Sequence, residues 1–76
     1  MGAYIVAKKV DEDQRIVRYA FGFGEEFDRT LTFDKDSGDV VSDDGNYDSS
    51  FTKITIKINR QWRDGGEFPS SVVFAS

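Results

Sequence analysis

The clearest pattern in the chain is a period of two. In residues 15–23, Val17, Tyr19, Phe21 and Phe23 share one side, and Ile16, Arg18, Ala20 and Gly22 the other. Such alternation with an aromatic side predicts a strand packed on one face. Gly22 and Gly24 flank Phe23 and predict a bulge or sharp exit there. Residues 27–34 alternate again. Phe27, Leu31 and Phe33 take one face with Arg29 between them, and Asp28, Thr30, Thr32 and Asp34 take the other. Residues 3–10 predict a first strand, followed by a polar turn at Asp11-Glu12-Asp13-Gln14. Asp34-Lys35-Asp36-Ser37-Gly38 has the short polar side chains and glycine of a tight turn. It leads into a brief fourth strand, Asp39–Ser42, and a loop at Asp43-Asp44-Gly45-Asn46. Four short strands joined by turns make an antiparallel meander.

Residues 50–63 fit two periods. Ile54, Ile56, Ile58 and Trp62 share a strand face, whereas Phe51, Ile54, Ile58 and Trp62 share a helix face. The β-branched content favours a strand. The ends favour a helix: Asp48, Ser49 or Ser50 can cap the start, and Arg60 and Arg63 fall in the last turn. Gly65-Gly66 then supplies a stop, with Pro69 shortly after. Fourteen residues would also be long for a strand in a small domain. The end signals predict a helix. The final piece, Ser70 to Ala75, is extended and either joins a sheet edge or lies across the helix.

The expected fold is therefore α+β, in one domain over residues 1–76. A four-stranded antiparallel meander packs against one C-terminal helix, with a short C-terminal extended segment. Tyr19, Phe21, Phe27, Leu31, Phe33, Ile54, Ile58 and Trp62 form the expected core. A chain of 76 residues buries only roughly 60% of its unfolded surface. Its seven Phe, three Tyr and one Trp supply that burial efficiently. Little interior is left for a deep substrate pocket.

Candidate chemistry is limited by what is missing. There is no His and no Cys. This removes the usual neutral-pH proton shuttle, the best side-chain nucleophile and the two commonest zinc ligands. Any nucleophilic serine would need a lysine base, and none is suggestively placed. The run Asp34-x-Asp36-x-Gly38-Asp39 fails as a calcium loop, because an EF-hand needs Gly sixth and Glu twelfth. Here Asp39 and Gly45 stand there. Glu25-Glu26 and Asp43-Asp44 lie in turn-like sequence, where neither carboxyl is expected to be desolvated for acid–base work. Gly22-Phe23-Gly24 lacks the lysine and helix of a phosphate loop. The expectation is a non-enzyme without cofactor or metal.

The net charge is −4, unevenly spread. Residues 34–48 hold six Asp against Lys35, and residues 51–63 hold Lys53, Lys57, Arg60 and Arg63 with no acid. On a helix, Lys53, Lys57 and Arg60 make a basic stripe. No stretch approaches the ~20 apolar residues of a membrane span. Met1 to Val6 lacks the pattern of a signal peptide, and position 6 is not the Ser or Thr of a myristoylation motif. A cysteine-free chain of this kind is expected in the cytoplasm.

Several stretches carry a resemblance. They are Tyr19-Ala20-Phe21-Gly22-Phe23, Phe27-Asp28-Arg29-Thr30-Leu31, Asp43-Asp44-Gly45-Asn46, Arg60-Gln61-Trp62 running into Gly66-Glu67-Phe68-Pro69, and the ending Val73-Phe74-Ala75-Ser76. Together they resemble a group of small uncharacterised proteins from actinobacteria. The resemblance implies a bacterial protein with a helix before the Gly-x-Phe-Pro segment. It carries no activity and transfers no functional residue.

Size and charge lead to a small protein-interaction module. An inhibitor or immunity-type partner of a basic protein is the sharper form. Its contact surface is expected at Asp36, Asp39, Asp43 and Asp44, since complementary charge steers association. The alternative is a small-ligand or nucleic-acid binder using Lys53, Lys57 and Arg60. The negative total charge weighs against nucleic acid.

Overall fold

The computed structural model describes residues 4–23 and 26–75. Among them the chain forms β1 (Tyr4–Glu12), β2 (Ile16–Phe23), β3 (Arg29–Asp34), β4 (Val40–Ser42), α1 (Ser49–Gly65) and β5 (Ser71–Ala75). The expectations placed on Ala3, Gly24, Glu25 and both chain ends lie outside the described residues.

The first four strands are the expected meander, and every neighbouring pair is antiparallel. The extended C-terminal segment completes the sheet. β5 pairs with β1, giving a five-stranded order β4-β3-β2-β1-β5. The chain therefore crosses one face of the sheet between β4 and β5, with α1 packed on the β1 and β5 side.

The helix forms where its end signals put it. Asp48 is the N-cap, and its carboxylate accepts from the Phe51 amide at 3.0 Å. Gly66 closes the far end with φ of 78°, a left-handed conformation that glycine adopts without strain. Its N–H donates to the Trp62 carbonyl at 2.8 Å. Phe51, Ile54 and Ile58 are buried, whereas Ile56 is 55% exposed. A strand would have placed Ile54, Ile56 and Ile58 on one side, so the burial follows the helical period.

The core lies between the helix and the sheet. Ile5, Ala7, Val17, Tyr19, Phe21, Leu31, Phe33 and Val72 meet Phe51, Ile54, Ile58 and Phe68. Trp62 packs at its margin, stacked on Phe68 with ring centroids 4.4 Å apart. Phe68 also tilts against Phe33 and so plugs the end of the core where the chain crosses to β5. The Tyr19 hydroxyl donates to the Pro69 carbonyl and anchors the same crossing.

Phe27 departs from expectation. It precedes β3 and is 36% exposed, outside the core. Its ring lies 6.0 Å from the Lys8 ammonium, and Lys8 projects from the sheet face opposite the helix. Residues 26–28 fold back over that face at Gly22. A Cβ there would overlap the Glu26 carbonyl oxygen. Gly22 thus marks a close backbone approach rather than a bulge. The bulge is in β1, where Lys9 pairs with Tyr19 but Asp11 pairs with Arg18, leaving Val10 extra. β1 continues two residues past Val10, so the turn falls at residues 13–15 instead of 11–14. There the Asp13 carboxylate accepts from the amides of Arg15 and Ile16 at 2.8 Å each.

Candidate functional site

The acidic run of residues 34–48 is divided by β4. At one end of this strand lies the turn containing Asp36 and Asp39, and at the other the loop that starts at Asp43. Three strand residues separate them by about 10 Å, so the four expected contact residues are not one cluster.

The loop end is tied internally, and Arg29 ties it. Arg29 opens β3 on the core side, its guanidinium 4.7 Å from the centre of the Phe21 ring. An arginine among inward-facing apolar positions must bring partners with it. Its Nε donates to Asp44 Oδ2 at 2.7 Å, its Nη1 to both Asp48 oxygens at 3.0 Å, and its Nη2 to the Asn46 carbonyl at 2.7 Å. Asp44 accepts further from the Ser42 hydroxyl and the Asn46 amide. The Arg29 guanidinium, with these two donors, holds the Asp44 carboxyl far below the usual aspartate range. The Asp48 carboxyl is held low first by the Phe51 amide and then by Arg29. Asp43 accepts from the hydroxyls of Thr30 at 2.7 Å and Thr32 at 3.0 Å, with Arg18 Nε at 3.6 Å. Of the four expected contact residues, Asp43 and Asp44 thus have partners within the chain.

Asp36 and Asp39 stand apart. Their turn is organised by Asp34, whose carboxylate accepts from the amides of Asp36 and Ser37. Asp36 and Asp39 are exposed, and their own carboxylates take no hydrogen bond or ion pair among the described residues.

A second charged cluster was not expected. The β1 bulge turns Lys9 and Glu12 to the same face. Glu12 accepts from Lys9 and Lys35 at 2.7 Å each, beside a surface depression lined also by Trp62, Glu67 and Phe68. The two ammonium groups, Lys35 foremost, hold the Glu12 carboxyl below its ordinary value. It stays ionised at neutral pH and is unsuited to general acid work. Among the described residues no three carboxylates converge as metal ligands.

The basic residues of the helix keep their charge available. Among the described residues, Lys53, Lys57, Arg60 and Arg63 form no ion pair. Lys53 and Lys57 are half-buried, and the Lys53 ammonium lies 5.9 Å from the centre of the Phe74 ring on β5. Arg60 and Arg63 are exposed and flank, with Ile56, Asn59 and Asp64, a further depression on the outer helix. Arg29 is the residue that sequence reasoning underrated. Its signal was present, as a charged residue in register with Leu31 and Phe33.

No family model matches the chain, and neither a curated protein nor a solved structure matches it. Among the described residues no helix is long and apolar enough to cross a membrane.

Proposed function

We propose that this chain is a non-catalytic protein-interaction module that docks an acidic protein surface along α1. One observation carries this reading. The loop acids are neutralised by Arg29 and Arg18, while the four cations of the helix form no ion pair among the described residues, Asp64 being the one acid on the helix with them. Like charges at i,i+4 weaken a helix by a few tenths of a kcal/mol, and an anionic partner would reverse that cost. Ile56, 55% exposed among these cations, offers an apolar anchor that a purely electrostatic site would lack. The reading moves the contact face away from the aspartates, of which Asp36 and Asp39 alone remain free for a basic partner.

The test is an NMR titration of the labelled protein with polyglutamate, polylysine and a short single-stranded DNA. Polyglutamate should shift the signals of Lys53, Lys57, Arg60 and Arg63, and the shifts should fade at salt concentrations that shorten the screening length to about 3 Å. Polylysine shifting Asp36 and Asp39, with polyglutamate inert, would overturn the proposal in favour of a basic partner. DNA binding much tighter than polyglutamate would overturn it in favour of a nucleic-acid binder.

A further inference from the structure

β5 is an edge strand with an unusual lack of protection. Its five residues, Ser71-Val72-Val73-Phe74-Ala75, contain no charge and no proline, and its outer side has no paired strand among the described residues. Proteins commonly blunt such edges with lysine, proline, bulges or short length. The opposite edge follows that practice, since β4 has three residues and is flanked by Asp39 and Asp43.

The hydrogen-bond phase of the edge follows from one contact. Lys9 N donates to the Ser70 carbonyl at 2.9 Å. In an antiparallel ladder the bonded pairs alternate. Ala7 with Val72 and Ile5 with Phe74 are then the bonded pairs, which leaves the backbone groups of Ser71, Val73 and Ala75 directed outward. Their side chains lie on the uncovered face, where Val73 is 45% exposed. On the other face, Phe74 sits beneath Lys53.

The basic stripe meets this edge at Lys53, whose ammonium lies 5.9 Å from the centre of the Phe74 ring. α1 and β5 are consecutive and pack together in opposite directions. Lys53 and Lys57 are four residues apart, a rise of about 6 Å. Alternate residues of a strand are spaced by about 6.6 Å. Side chains at every second position of an added strand would therefore match the two lysines in turn. A second copy of this chain fits poorly, because a β5–β5 pairing would bring two rows of Lys53 and Lys57 together.

We infer that the β5 edge and the Lys53–Lys57–Arg60 row form one docking groove for an extended acidic segment of a partner protein, which adds to the sheet as a sixth strand. Main-chain bonds to Ser71, Val73 and Ala75 hold the segment. Its acidic side chains, at alternate positions, meet the cations of the helix, and the residues between them lie beside Val73 on the open face. Strand addition with pockets for alternate side chains is an established mode of peptide recognition. The inference deepens the proposed function and rests on the helix as contact face.

The experiment uses a Glu-Val repeat peptide of roughly eight to ten residues, long enough to cover the edge. Two further versions carry N-methyl groups on all the valines or on all the glutamates. In an added strand one set of amides faces β5 and the other faces solvent. The two N-methylated peptides should thus differ in affinity by about tenfold, and the unmodified peptide should protect the Val73 amide from hydrogen exchange. Val73→Pro, at an outward amide that an edge tolerates losing, should weaken the peptide about tenfold and leave the polyglutamate titration unchanged. Equal affinity for both N-methylated peptides, with Val73 unprotected, overturns strand addition while polyglutamate shifts at Lys53 and Lys57 still support the helix face. Loss of the polyglutamate shifts as well overturns both.

Discussion

Arg29 and the outer row of α1 are both cationic, but the protein treats them in opposite ways. Arg29 is enclosed by Asp44, Asp48, the Asn46 carbonyl and the Phe21 ring. Lys53, Lys57, Arg60 and Arg63 form no ion pair among the described residues. The acids of the loop that leads into the helix, Asp43, Asp44 and Asp48, serve Arg29, Arg18 and the helix cap instead. Charge that is dense along the chain is therefore not the charge that is available at the surface. Availability depends on which groups the sheet register and the loop path bring together.

The largest test of this contrast removes the ring under the guanidinium. Phe21→Ala strips a fully buried side chain that contacts both Phe51 and Arg29. It should cost on the order of 3–5 kcal/mol and leave the domain largely unfolded at room temperature. Urea unfolding followed by circular dichroism measures this, and an unchanged midpoint would show that the Arg29 cage stands without its floor.

Arg29→Ala comes next. It leaves Asp44, Asp48 and the Asn46 carbonyl without their shared donor, so a loss of about 2 kcal/mol is expected. Arg29→Lys should recover part of it, because a single ammonium cannot reproduce the forked geometry. Thermal melts of the three proteins give the order. Equal melting of the lysine and arginine forms would mean that charge alone matters there.

Acid separates the two regions by mechanism. Asp44 and Asp48 have carboxyls held below the ordinary aspartate value of 3.8. The folded protein then binds fewer protons than the unfolded chain as the pH approaches that value. The stability these groups contribute is present above it and is lost as pH falls through their lowered folded-state values. Urea midpoints measured from roughly pH 6 down to pH 2 should be flat at first and decline below about pH 4. Arg29→Ala should make the decline shallower, and Lys53→Gln with Lys57→Gln should leave it unchanged. An acid limb insensitive to Arg29 would break the contrast.

The smallest effects are expected where the charges are free. Asp36→Asn with Asp39→Asn, and separately Lys53→Gln with Lys57→Gln, should each change stability by less than about 0.5 kcal/mol. Asp43→Asn with Asp44→Asn should lower the melting temperature visibly. If the three pairs melt alike, the acidic run acts as one unit and its division by β4 has no energetic meaning.

Much of the fold was legible in the sequence because its signals are local. Alternation at Val17, Tyr19 and Phe21 fixed which side of β2 is buried, since successive strand residues must face opposite ways. Asp48 and Gly66 decided a segment whose period was ambiguous, because only a helix leaves end groups that need such caps. Four events depended on the tertiary structure. Phe27 left the core because the chain folds back across Gly22 before β3 begins. The bulge at Val10 turned Glu12 toward Lys9 and Lys35, a change of phase that no alternation pattern announces. The last strand found β1, more than sixty residues earlier in the chain, rather than the helix surface. The fourth event shaped the candidate site most. Local sequence specifies how many charges a segment carries, but pairing between distant residues decides which are neutralised, and that pairing left Lys53 of α1, unpaired by any acid among the described residues, beside Phe74 on the open edge of β5.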